Sequence, residues 1–135
     1  IAEMFLFLAD RAEHIEELIK ANQTNFIISD RSMISGIAYA KQLEINKLIE
    51  LNLIATSNNL PSHVILLELT PSELKCRLSK KENDAIELRG IDYLINIQNR
   101  MKETIKRLNI NHIFIDADLE IEEIEKKIED FINAE

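Results

Sequence analysis

The chain has 135 residues, 46% of them hydrophobic, with two glycines, two prolines and a formal net charge of -8. That is enough for one domain with a sizeable, mostly helical core. The acidic balance argues against a general nucleic-acid or membrane surface, both of which select basic patches, but not against a small phosphate ligand held by a few local cations. No apolar run reaches membrane-spanning length and no signal peptide is visible. A single cysteine, Cys76, rules out an internal disulfide and fits a reducing cytoplasm.

The chain opens on Ile1 inside a helical pattern, which reads as a truncated start. Residues 1 to about 22 predict a helix, with Phe5, Leu8, Ala12, Ile15 and Ile19 on one stripe and Met4, Phe7, Arg11, His14 and Leu18 on a second. Phe7 and Arg11 lie one turn apart, so a ring and a guanidinium share a face that could stack on and pair with a flat heterocycle. On spacing alone, the favoured reading is a core Phe7 and a solvated or ion-paired Arg11.

A polar turn at Asn22–Asn25 leads into Phe26-Ile27-Ile28-Ser29, a strand by β-branched content, which ends abruptly in Asp30-Arg31. A buried parallel strand delivers charged groups to its carboxyl end in this way, where open α/β sheets bind ligands. Asp30 could hold a metal or its water, and Arg31 offers a planar fork of donors for a phosphate. A surface ion pair is the alternative.

Residues 33 to about 57 read as helical, with a break near 40–45, followed by a loop over 57–62. His63–Leu69 is a second buried strand, its near-continuous apolar run suiting a parallel sheet covered on both faces. Thr70-Pro71-Ser72-Glu73 predicts a capping box and a helix carrying Cys76, Arg77, Lys80 and Lys81. Polar residues 81–84 break it. A long helix follows from about Glu87 to Leu108, then a third strand at His112–Asp116. The final helix has Asp118 as its expected N-cap and Ile121, Ile124, Ile128 and Phe131 facing inward. Its acidic run from Glu120 to Asp130 reads as a solvated face. The three histidines lack metal-ligand spacing and read as structural. Cys76 reads as a small packing residue rather than a nucleophile. Strands alternating with helices mean an α/β fold with a parallel sheet.

Six segments in order resemble the thymidylate kinase family. Leu6–His14 resembles its "LFxADRxxH", and Asp30–Tyr39 its "DRYxxSxxAYQ". Leu60-Pro61 before a strand is similar to "LRPDLTxxLDV", Thr70–Glu73 with Arg77 to "PPExxxxR", Asp84–Glu87 to "DRxE", and Ile115-Asp116-Ala117 to "IDA". The resemblance implies a three-layer P-loop NTPase-type parallel sheet with helices on both faces, lacking its first two strands here. It implies one nucleoside monophosphate kinase-like domain, residues 1–135, with a lid at about 77–87. The implied reaction is transfer of the ATP γ-phosphate to dTMP, giving dTDP, with Mg²⁺.

The implied roles follow position by position. Phe7 would stack on thymine and Arg11 would bond its carbonyl edge. Arg31 would hold the dTMP phosphate, with Asp30 near the metal and phosphates. Ser35 and Gly36 would line the nucleoside pocket, and Tyr39 would pack on the deoxyribose. Arg77, Lys80 and Lys81 would belong to the lid, with Arg77 catalytic alongside Asp30 and Arg31. Asp116 and Ala117 would border the adenine. The resemblance also implies a homodimer, in a cytoplasmic enzyme with no nucleic-acid or membrane partner.

The chain departs from the family pattern at Ser32, Ala40 and Ala85, where the family has Tyr, Gln and Arg. The Gly-rich loop ending in Gly-Lys-Ser/Thr is not among these residues. The match therefore covers the carboxyl-terminal two-thirds of such an enzyme, and the chain as given is expected not to transfer phosphate. Another nucleoside monophosphate kinase, or a non-catalytic dimerising α/β fragment, are the competing readings. The strand arrangement implied by the family predicts a parallel ladder between residues 63–69 and 112–116, and none between 26–30 and 63–69.

Overall fold

A computed structural model describes residues 1–22, 26–41, 43–79 and 87–134, with the side chains of 18 and 87–89 outside the description. Lys80, Lys81 and the Asp84–Ile86 part of the "DRxE"-like segment lie outside the described residues. The chain divides into two compact units, Ile1–Pro61 and Ser62–Glu135.

The first unit is helical. α1 spans Ala2–His14 and continues through a π turn at Ile15–Ile19 and a 3-10 turn at Lys20–Asn22, so the expected helix runs its full length with a changed winding. α2 (Met33–Tyr39) and α3 (Ile45–Ala55) flank the predicted break. α3 packs against both α1 and α2. Met4, Ile15, Met33, Ile34, Ile37, Ala38 and Leu48 supply the buried apolar surface. The expected α1 core stripe is therefore only partly right: Ile15 is buried, but Phe5 is 54% exposed, and Met4 from the second stripe takes the inner place.

Residues 26–29, predicted as a strand, join no ladder among the described residues. Phe26 and Ile28 are 76% and 85% exposed. An apolar, β-branched run becomes a strand only when a neighbour takes its N–H and C=O groups, and no described residue does so.

The second unit holds β1 (His63–Glu68), α4 (Pro71–Ser79), α5 (Glu87–Arg107), β2 (Asn111–Asp116) and α6 (Ile121–Ile132). β1 and β2 pair in parallel, from His63 opposite Asn111 to Glu68 opposite Asp116, the ladder the sequence predicts. Alternation assigns the two faces. Glu68 pairs with Lys102 of α5, and Phe114 lies under the same ammonium, 4.8 Å from its ring centroid. On the other face, the His63 ring meets Phe131 of α6 edge-on at 5.3 Å. A helix thus touches each side of the sheet, as the α/β reading requires, but no β1 residue is fully buried and Leu67 is 49% exposed, so the expected buried strand is only partly covered.

Local signals in this unit are mostly obeyed. Glu73 N–H donates to Thr70 Oγ1 at 3.3 Å and Thr70 N–H donates to Glu73 Oε2 at 2.7 Å, closing the predicted capping box. Two expectations for α6 fail. The helix starts at Ile121 with Glu120 as N-cap, and Asp118 instead accepts a bond from Arg77. Ile121 is 70% exposed, because the first turn of a helix that packs along its later turns overhangs the core. Cys76 is exposed, on a helix with no buried residue, so it is not the packing residue expected.

Candidate active site

The sequence places the first unit's site at the start of α2. Ser32 is the N-cap: its Oγ accepts from the Ile34 N–H at 3.3 Å, and its own N–H donates to Ser35 Oγ at 3.4 Å. This accounts for a serine after Asp30-Arg31. The cap also fixes the turn before it. Arg31 sits at φ 67°, a left-handed conformation that costs a non-glycine residue about 1–2 kcal/mol. Ser29 Oγ donates to the Arg31 carbonyl at 3.1 Å and supports the turn. Strain of this kind gathers where a side chain must be aimed. The Arg31 guanidinium lies 6.0 Å from the Tyr39 ring centroid, so the two ends of α2 meet on one side.

Arg31 and Tyr39 line an open cavity of about 340 Å³ formed by the first unit. Phe7, Arg11, Arg31, Ser35, Gly36 and Tyr39 all line it, every one a residue predicted from the sequence. Phe7 is 59% exposed there, which overturns its reading as a core residue. Asp30 is exposed and does not line the cavity.

Arg11 is the most constrained group. Its Nη1 donates to Asn52 Oδ1 at 2.7 Å and its Nη2 to the Ser32 carbonyl at 3.3 Å. Burial pushes the guanidinium's pKa down, and neighbouring Asp10 partly offsets that; it stays protonated at neutral pH. Gly36 is what admits it: a Cβ there would stand 2.8 Å from Nη1 and 3.1 Å from Nη2. The glycine serves this close approach, since its φ is not positive. Sequence reasoning missed Asn52, Met4 and Leu48 in the lining. The available signal was Asn52 itself, an amide one turn after the buried Leu48 on an otherwise apolar helix face.

The second unit has its own pocket, about 310 Å³, at the carboxyl ends of β1 and β2. Glu68, Thr70, Glu73, Gln98 and Asp116 help line it. Gln98 grips the end of β1, accepting from the Leu69 N–H at 2.9 Å and donating to its carbonyl at 3.1 Å. The Ala117 N–H donates to the Glu68 carbonyl at 2.9 Å, which ties the loop after β2 to β1. Arg77 Nη2 donates to the Ala117 carbonyl at 2.5 Å, so two residues predicted for different roles are in contact. Thr70 bonds hold the Glu73 carboxyl below the usual glutamate range.

Among the described residues no cluster of three His, Cys, Asp or Glu side chains could cage a metal. A divalent ion of the magnesium type needs only one or two protein carboxylates when substrate phosphates complete its shell, and Asp30 beside Arg31 fits that smaller requirement. No described helix is long and apolar enough to cross a membrane.

A sequence model of the family described as "Thymidylate kinase" matches residues 1–128. The chain belongs to the thymidylate kinase family. It is 78% identical to a thymidylate kinase of Aliarcobacter butzleri over 134 residues, covering 99% of this chain and 71% of that relative. It is 50% identical to one from Nautilia profundicola, covering 98% of this chain and 69% of the relative. It is 49% identical to one from Sulfurimonas denitrificans, with 98% and 71% covered. Membership places the protein in a family of kinases, phosphotransferases that use ATP and a divalent metal. Its helix-rich α/β architecture with a parallel sheet agrees with a P-loop kinase fold.

Proposed function

We propose that the cavity of the first unit is the dTMP site and that the protein transfers the γ-phosphate of ATP to dTMP, giving dTDP, with Mg²⁺ as the metal. One observation carries this: Phe7, Arg11, Arg31, Gly36 and Tyr39, scattered over the sequence, line a single cavity. The thymine would lie on the Phe7 ring, with its carbonyl edge toward Arg11. Tyr39 would pack on the deoxyribose, and Ser35 and Gly36 would border the nucleoside. Arg31 would take the phosphate in its fork of donors.

Phosphoryl transfer asks for positioning and charge neutralisation rather than covalent chemistry, and these groups supply both. Magnesium, held by phosphates and by Asp30 directly or through water, would neutralise charge on the transferring group. Asp116 and Ala117 would border the adenine of ATP. Arg77, with Lys80 and Lys81, would form a lid at about 77–87 that excludes water on closing. Residues 1–135 would belong to one nucleoside monophosphate kinase-like domain, acting in the cytoplasm without nucleic-acid or membrane partners. Exposed Phe5 and Leu6 on α1 support a homodimer built on that helix.

Phe7, Arg11 and Tyr39 favour thymidine over purines, and a thermal-shift ranking of nucleoside monophosphates on the intact enzyme tests this. dTMP should stabilise most; a purine or cytidine monophosphate ranking first would refute the assignment. A second reading, a non-catalytic α/β module, is favoured for the isolated polypeptide by one observation. Its two glycines, Gly36 and Gly90, form no phosphate cradle. Purified residues 1–135 should make no dTDP in a coupled assay, and dTDP formation by them would misplace the ATP site.

A further inference from the structure

We propose that Asn52 is a positioning residue for Arg11, setting the guanidinium's orientation before a base arrives. The inference rests on the reading of Arg11 as a base-binding group. Asn52 is only 4% exposed, on α3, and a buried amide must bond at both ends. Its Nδ2 donates to the Leu48 carbonyl one turn back at 2.8 Å. That bond leaves Oδ1 to accept from Arg11 Nη1 at 2.7 Å. The amide has only this orientation available. Turned over, it would set its NH₂ against a guanidinium that can only donate, and its oxygen against a carbonyl that can only accept.

The other elements of the unit complete the seat. From α2, the Ser32 carbonyl takes Nη2, and the missing side chain of Gly36 leaves room for the guanidinium's tip. Two helices, α2 and α3, therefore converge on one long side chain of α1. Its two bonds to protein among the described residues leave N–H groups for a ligand, and a donor-only group reads a carbonyl rather than an amino group. Fixing it in advance removes an ordering cost that binding would otherwise bear.

The test is dTMP calorimetry on the intact enzyme, alone and in the Arg11→Ala background. Asn52→Ala should raise the dTMP Kd about tenfold and leave the KM for ATP unchanged. In the Arg11→Ala background it should change the Kd by less than about twofold, because the two residues act as one unit. Asn52→Asp keeps the Oδ1 acceptor and should bind dTMP more tightly than Asn52→Ala, even though it loses the bond to Leu48. Asn52→Leu serves if Asn52→Ala does not fold, since leucine keeps the volume and offers Arg11 no acceptor. It should weaken dTMP binding in the Arg11 protein and lose that effect with Arg11→Ala. Equal losses in both backgrounds, or no loss on Asn52→Ala while Arg11→Ala weakens binding, would overturn the positioning role alone. An unchanged Kd in Arg11→Ala itself would overturn the base-binding reading and this inference with it.

Discussion

The two pockets use charge in opposite ways. In the strand-end pocket of the second unit the carboxylates are occupied. Glu68 is paired with Lys102, Glu73 accepts from Thr70, and Asp116 Oδ1 accepts from the Asp118 N–H at 2.8 Å. Their bonding holds a strand end, a cap and a loop in shape. In the cavity of the first unit, Arg11 uses two of its donors and Arg31 sits exposed on a left-handed turn. Cationic donors with bonding capacity in hand suit an anionic ligand, whereas carboxylates already engaged hold their surroundings in shape. The charge signs agree with the proposed site: a phosphate monoester would meet cationic donors in the first cavity and acids in the second.

The contrast can be broken first at Arg31. Arg31→Ala should lower kcat/KM for dTMP by about 2–3 kcal/mol in transition-state stabilisation, the scale of a lost charge-assisted bond. Lys81→Ala should do far less. Arg31→Gly should lose as much activity while gaining about 1 kcal/mol in thermal stability, since glycine carries no penalty at φ 67°. Steady-state kinetics and melting curves on the intact enzyme check both, and a stability loss with activity retained would make Arg31 scaffold rather than anchor.

Phe7 comes next. Phe7→Ala should weaken dTMP binding by about 1–3 kcal/mol, the scale of stacking a base on an aromatic ring. Because the ring is 59% exposed, the melting temperature should hardly move. Equal dTMP affinity in a folded Phe7→Ala enzyme would remove the thymine platform from the account.

The smallest effect belongs to the second unit and should appear only in stability. The Thr70 bonds lower the Glu73 pKa in the folded protein, so the folded state binds that proton less readily than the unfolded chain. Its contribution is present above the unfolded glutamate value, about 4.3, and disappears as pH falls through the lower folded value. Wild type should therefore exceed Glu73→Gln in stability at neutral pH and lose that margin in acid, with dTMP affinity equal in both. Urea melts across that pH range measure it; a margin that grows on acidification has the wrong sign.

Much of this contrast was legible in residue order, because caps and helical spacing are local. Thr70-Pro71-Ser72-Glu73 specifies its own turn, and the step from Phe7 to Arg11 places both side chains on one face. Pairing is not local. Phe26-Ile27-Ile28 and Val64-Ile65-Leu66 read alike, yet among the described residues only the second has a ladder partner, in β2. Nor is a contact across helices local. Asn52 meets Arg11 through the packing of α3 on α1, and nothing within α3 announces it beyond an amide on an apolar face. Asp118 failed as a cap for a similar reason: Arg77, distant in sequence, claims its carboxylate.

A crystal structure of the intact enzyme with dTMP tests the central assignment most directly. The account predicts thymine stacked on Phe7 with a carbonyl toward Arg11, and the phosphate within hydrogen-bond distance of Arg31. A dTMP molecule bound elsewhere, with the cavity between α1, α2 and α3 empty, would contradict it.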